Sequence, residues 1–285
     1  VKNNLIYDIG MHLGYDTQMY LDKGYNVIAV EANTFLVGKA KKKMSKPIEN
    51  NRLQILNFAI SEIDSGVVPF YISINKSIQS SLEKNMAERG STVLKIEVNT
   101  TKLSTLFQKY GVPYYCKIDI EGYDYIALKS LQGFPSLLPK FISAEINNIS
   151  NEGHTAENIS SKKELYDIWL SILTLLKQIG YTKFKVIDQS SLQNISNSTY
   201  IKNDFLLKKN IYSKINKKAL RIKECLSLKK SFNLGYFKDC SGPFGEYLEG
   251  EWLDFEITKD LIMSYGNTML KHGIKTMWCD IHATY

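Results

Sequence analysis

The chain has 285 residues, long enough to bury a full core as one α/β domain with an added subdomain. Hydrophobic residues make up 44% and charged residues 23%, a balance that excludes overall disorder. The formal charge of +7 would suit an anionic partner, yet the lysines are scattered, with the densest runs at Lys39-Ala-Lys-Lys-Lys43 and from Lys208 to Lys230. No RNA-binding signature interleaves them, so solvated helix faces are expected and a nucleic-acid partner is not.

The first predicted strand lies within Leu5-Ile-Tyr-Asp-Ile-Gly-Met-His-Leu-Gly-Tyr-Asp-Thr17, an apolar run that ends in an acid before two glycines four apart open a helix. A second strand, Tyr25-Asn-Val-Ile-Ala-Val-Glu31, also ends in an acid, and a helix near Phe35 to Met44 and a third strand at Leu53 to Phe58 follow. Val67 to Ile72 and Val93 to Val98 read as inserted strands around a polar stretch, Asn75 to Gly90, that is long enough to be a loop or lid. The fourth core strand is expected at Tyr114 to Ile120 with a helix from Tyr123 to Leu131, and the fifth at Phe141 to Ile146 with a long helix from Lys163 to Ile179. Tyr181 to Ile187 and Tyr200 to Leu207 can form a closing antiparallel pair. This alternation predicts a mostly parallel, Rossmann-like sheet of about seven strands with helices on both faces. Beyond about residue 210 a lysine-rich helical run leads to Ser241-Gly-Pro-Phe-Gly-Glu-Tyr-Leu-Glu-Gly-Glu-Trp252, which reads as a structured loop able to fold over the open end of the sheet.

Cys116, Cys225, Cys240 and Cys279 are far apart and include no C-x-x-C pair, so neither a zinc site nor a disulfide scaffold is expected, and Cys116 reads as a small core residue. The absence of a signal peptide and of an apolar run of about 18 residues leads to the expectation of a cytoplasmic protein with no membrane span.

In open α/β sheets ligands bind outside the carboxyl ends of the strands, and the residues found there are acids: Asp8, Glu31, Asp119, Glu121 and Glu145. The glycine turn brings backbone N–H groups close to a ligand without a Cβ in the way, while Glu31 is placed to accept both hydroxyls of a ribose. The dinucleotide fingerprint G-x-G-x-x-G is absent, since the spacing is Gly10-x-x-x-Gly14. A wider turn flanked by acids suits a ligand carrying an amino acid and an adenosine, as S-adenosylmethionine does. In Lys117-Ile-Asp-Ile-Glu-Gly122 the alternation would put Lys117, Asp119 and Glu121 on one strand face, either as an ion-paired cluster or as a site at the strand's mouth.

The motifs Asp8 to Thr17, Val30-Glu-Ala-Asn33, Asn57-Phe-Ala-Ile-Ser61 and Lys117 to Gly122, in that order and spacing, resemble the FkbM family of S-adenosylmethionine-dependent methyltransferases over roughly residues 5 to 150. The resemblance implies a class I methyltransferase fold and, in most members, O-methylation of a sugar, a polyketide or another natural product. It implies that Asp8, Gly10 and Gly14 hold the methionine end of the cofactor, Glu31 its ribose, and Ala59 and Ile60 the adenine. His12, Tyr15, Asp16 and Thr17 of the first motif and Ala32 and Asn33 of the second are counted in the same cofactor set. Thr34 stands where the family usually has proline, which bears on how stiffly that turn is held.

Methylating an alcohol requires a base or a metal near the methyl group, because the hydroxyl proton must leave as the bond forms. The candidates are His12, His154, Asp119, Glu121 and Glu145, with Lys117 beside them, and Asp119 with Glu145 could hold magnesium. Ser77 to Leu82 offers hydroxyls that could reach cofactor or acceptor, and Trp278 to Tyr285 places Asp280 and His282 on one side of a possible terminal strand. The expected organisation is a cofactor-binding domain over residues 1–210 and a C-terminal extension over 211–285 whose aromatic residues would suit stacking on sugar rings. A small-molecule or glycan acceptor is expected, with homo-oligomer formation left open. The rival readings are methylation of a nitrogen, although the Asn/Asp-Pro-Pro-Tyr signature is absent, and a non-catalytic cofactor-binding module.

Overall fold

A computed structural model describes residues 1–74, 80–88, 92–146, 148, 156–189, 192–195 and 240–285. The chain divides into two compact units, Val1–Lys140 and Phe141–Tyr285. The expected boundary near residue 210, the strand expected at Tyr200 to Leu207, the hydroxyls of Ser77, and the lysine-rich run from Lys208 lie outside the described residues.

The first unit begins with β1 (Lys2–Ile9), α1 (Tyr15–Asp22), β2 (Asn26–Val30), α2 (Thr34–Lys43), α3 (Ser45–Glu49) and β3 (Leu53–Leu56). It continues through β4 (Ala59–Ile60), β5 (Val67–Ser73), α4 (Lys84–Glu88), β6 (Val93–Thr101), α5 (Leu103–Tyr110), β7 (Pro113–Ile118) and α6 (Asp124–Lys129). Strands β7, β1, β2 and β3 lie side by side in that order, all parallel. The last five residues of β1 and all of β7 are buried, as expected of central parallel strands covered on both faces, and only Asp8 and Lys117 interrupt their apolar and aromatic side chains. The chain moves outward from β1 to β3 and then returns to the other side of β1 as β7, so the strand order reverses between β1 and β7. Such a reversal opens a crevice at the carboxyl ends of these two strands.

The helices start and stop where local chemistry dictates. Asn33 caps α2, its side-chain oxygen accepting from the N–H of Phe35 and Leu36, and Lys41, Lys42 and Lys43 occupy the last turn, at the negative end of the helix dipole. Those lysines therefore have a structural explanation that needs no anionic partner. The insertion forms its own small sheet, with β6 between β4 and β5, built on a cluster of Ala59, Phe70, Ile72 and Val98.

The second unit contains β8 (Phe141–Glu145), α7 (Lys162–Ile179), β9 (Lys183–Asp188), β10 (Gln193–Asn194), α8 (Phe255–Lys271) and β11 (Cys279–Thr284). Ser161 caps α7 by accepting from the Glu164 N–H, the S-x-x-E signature of a helix start. The possible terminal strand is realised as β11, which runs antiparallel between β8 and β9 with every residue from Cys279 to Ala283 buried. The Ser241 to Trp252 passage is, as expected, irregular apart from one turn at Gly245–Tyr247.

Helix α8 is not apparent from apolar spacing alone because glycine interrupts its buried stripe of Thr258, Leu261, Ile262, Tyr265 and Gly266. The reason for Gly266 is close approach to α7: a Cβ there would lie 2.3 Å from the ring of the fully buried Trp169. Gly266→Ala is expected to destabilise the protein by about 1–3 kcal/mol through overpacking, read as a lower urea midpoint at unchanged slope.

Candidate functional site

The crevice of the first unit is formed by the turns that leave β1, β2 and β7. Gly10 takes φ 88°, and a Cβ on it would lie 1.9 Å from the Asp119 carbonyl oxygen, so only glycine lets the end of β1 pass the end of β7. Gly14, at φ 76°, precedes α1 with the Met44 methyl 2.8 Å from where its Cβ would stand.

Four N–H groups of this turn are engaged within the protein. Gly10 and Met11 donate to the Val30 carbonyl at 2.9 and 3.0 Å, Gly14 donates to Met11, and His12, itself at φ 50°, donates to Glu31 Oε2 at 2.7 Å. These donors hold the turn against the end of β2. Beside them the crevice presents a set of carboxylate acceptors.

Glu31 is buried, and its second oxygen, Oε1, accepts from the Asn33 N–H at 2.8 Å. Burial pushes its carboxyl from the ordinary 4.5 up to about 7, against the pull of the two backbone N–H groups. The turn carrying it is fastened by Asn57, whose side-chain amide donates to the carbonyls of Glu31 and Ala32 at 2.8 and 3.0 Å. Thr34 completes this clasp by donating to Asn57 Oδ1 at 3.1 Å, so a side-chain hydrogen bond holds the turn. Asn57 is a positioning residue without a role in the sequence reading, because its partners are main-chain atoms some 25 positions away.

Lys117 points from β7 into a cluster of acids. Its ammonium is 3.1 Å from Asp119, 3.4 Å from Asp16 on α1 and 3.7 Å from Asp8 on β1. Burial opposes its charge, but the three carboxylates outweigh burial and push its pKa well above the ordinary lysine value. It is thereby a fixed cation and not a base at neutral pH. Asp8 is wholly buried; Oδ2 accepts from the Thr17 hydroxyl at 2.5 Å, whereas Oδ1 has no hydrogen-bond donor among the described residues. Burial raises the Asp8 carboxyl to about 6 despite Lys117, with Asp16 adding to the rise.

Lys117 and Asp119 thus meet as the alternation predicts, but Glu121 does not join them. Strand β7 ends at Ile118, and Glu121 sits in a left-handed turn at φ 50°, its carbonyl accepting from the Ser81 hydroxyl at 3.2 Å. Asp8 and Asp16 take the place expected for Glu121 beside the lysine. The Tyr15 ring lies 5.1 Å from the Lys43 ammonium. Ala59 and Ile60 are buried in β4, where Ala59 belongs to the apolar cluster of the inserted sheet.

Within the second unit, Glu145 ends β8 opposite Asp280 of β11, and Asp280 accepts a hydrogen bond from the Gln189 amide. His282 is buried, and burial together with Lys185 pushes its imidazole down to about 3, which keeps it neutral. His154 lies outside the described residues. The aromatic passage is engaged in packing: Trp252 stacks on Phe141 at 5.7 Å and carries the Lys185 ammonium 4.6 Å from its ring centre, while Phe244 meets Tyr247 edge to face. Among the described residues no group of three or more His, Cys, Asp or Glu is arranged to hold a metal ion, and no helix is long and apolar enough to cross a membrane.

A family model described as a methyltransferase FkbM domain matches residues 8–183, a span that contains every carboxylate of the crevice. No curated protein matches the chain. Among solved structures, the MccD protein is 9% identical with a TM-score of 0.35, over 99% of this chain and 88% of that one. The pyocyanin biosynthetic protein PhzM is 12% identical with a TM-score of 0.32, over 65% of this chain and 47% of its own, so the match spans about half of PhzM.

Removing the cation should be costly, since Lys117→Met leaves three carboxylates together; a loss of about 3–5 kcal/mol is expected in chemical denaturation at pH 7.5. Glu31 has the opposite pH signature to that of an ordinary ion-paired carboxylate. Its folded pKa lies above the unfolded one, so its contribution to stability is present below about 4.5 and is lost as pH rises through about 7. Stability measured across that window should fall less steeply in Glu31→Gln than in the wild type.

Proposed function

The chain belongs to the FkbM methyltransferase family, carrying its domain over residues 8–183, and on that premise we propose that it transfers a methyl group from S-adenosylmethionine to a hydroxyl of a sugar, a glycan or a small natural product. The observation that carries this reading is the acceptor-rich crevice. Gly10, Met11, His12 and Gly14 spend their N–H groups within the protein, while Asp8, Glu31 and Asp119 line the strand ends. A pyrophosphate needs donors, whereas a ligand with an ammonium, a sulfonium and two ribose hydroxyls needs acceptors.

The residues present fit such a cofactor. Each Glu31 oxygen accepts one backbone N–H and retains a lone pair for a ribose hydroxyl. Asp8 has a buried oxygen without a hydrogen-bond donor among the described residues, which suits it to the methionine end together with the glycine turn. Ala59 and Ile60 would supply the apolar flank of the adenine. When bound, the cofactor supplies an electrophilic methyl group.

The chain's own task is then to align an acceptor oxygen and accept its proton. Alignment alone can lower such a barrier by about 7–11 kcal/mol. Asp119 is the carboxylate of the Lys117 cluster that reaches solvent, with a side chain 44% exposed, and it is assigned as the group that orients the acceptor hydroxyl and takes its proton. Lys117 holds Asp119 in place and cannot itself act as the base.

Isothermal calorimetry should show Glu31→Ala binding S-adenosylmethionine about 10²-fold more weakly than wild type, as expected for two lost hydrogen bonds to a carboxylate. Unchanged affinity would remove the ribose assignment. With an acceptor found by screening sugars and natural products against labelled cofactor, Asp119→Asn should lower kcat by about 10²-fold or more. Transfer to amines but to no alcohol would refute the O-methyl reading.

A further inference from the structure

The Lys117 cluster contains more negative charge than a structural ion pair requires. Three places in the fold deliver one carboxylate each: Asp8 from β1, Asp16 from α1 and Asp119 from the turn that follows β7, all within 3.7 Å of one ammonium. Asp8, Asp16 and Lys117 are buried, so water does little to screen them. Burying one lysine needs one partner, and the second buried carboxylate, Asp8 or Asp16, adds a desolvation cost of its own. Asp8 shows the imbalance, since its Oδ1 lies 3.7 Å from Lys117 and receives no hydrogen bond among the described residues.

We propose that this cluster selects its ligand by charge: it binds the sulfonium cofactor in preference to the thioether left after transfer, and Lys117 is the positioning residue that gathers the carboxylates. The inference rests on the S-adenosylmethionine reading above. In the reaction an oxygen–carbon bond forms, the sulfur–carbon bond breaks with its electron pair remaining on sulfur, and the hydroxyl proton passes to a base. The sulfur thereby loses its positive charge. A site with surplus negative charge holds the reactant by an attraction that the product lacks, and in a poorly screened crevice that difference is substantial. Turnover would then release the spent cofactor without a large conformational change.

The test is calorimetry on the full chain with three probes: S-adenosylmethionine, S-adenosylhomocysteine, and an analogue with an amine in place of the methyl-bearing sulfur. Wild type should bind the two cations about tenfold or more tightly than the thioether. Added salt should narrow that ratio. Asp16→Asn, which removes one charge at nearly constant shape, should bring it within about threefold by weakening the cations while leaving the thioether largely unaffected. Equal binding of all three by wild type would overturn charge selection and leave the cofactor reading intact. So would an Asp16→Asn chain that loses affinity equally for all three, the mark of a merely structural role. If wild type bound none of the probes, the cofactor reading itself would fall. Should Asp16→Asn not fold, the wild-type ratio and its salt dependence still decide the matter.

Discussion

The first unit is organised around one buried ammonium. Lys117 lies in a strand whose other side chains are apolar or aromatic, and its charge is retained there only because Asp8, Asp16 and Asp119 converge on it. Asp8 comes from the first strand, Asp16 from the first helix and Lys117 from the returning strand with Asp119 just beyond its end, so the ion cluster ties these three elements together at the point where strand order reverses. Parallel strands have no tight hairpin to hold their ends in register. Here the electrostatic cluster and the hydrogen bonds of the glycine turn perform that function.

The same arrangement sets the chemical character of the crevice. The backbone donors are consumed in joining the turn after β1 to the end of β2, and the Asn57–Thr34 clasp joins the end of β2 to the region after β3. Prominent among the groups at the strand ends are carboxylate oxygens with lone pairs.

Much of this was legible in the sequence. Apolar runs ending in acids located β1, β2 and β7, and helical period located α2 and α7, because these are local signals. The partners of Lys117 were less accessible: alternation along one strand suggested Glu121, but β7 ends at Ile118 and the following turn carries Glu121 elsewhere. Its second and third partners are contributed by a neighbouring strand and a helix more than 100 positions earlier, which no local pattern reports. Asn57 was seen as part of a motif, but its task of fastening the turn after β2 was not, because its partners are distant main-chain atoms. Helix α8 was hidden by Gly266, a residue that weakens a helix by propensity and is retained because two helices meet at it. Trp252 looked suited to a sugar ring, but an aromatic side chain in a sequence does not reveal whether its face is already covered by Phe141.

The contact between Gly10 and the Asp119 carbonyl has a wider consequence. Because main chain meets main chain there, the loop that would grip the cofactor and the carboxylate that would address the acceptor form one rigid seam. Diversification of this scaffold toward new acceptors would therefore leave the seam untouched and work through segments that border it.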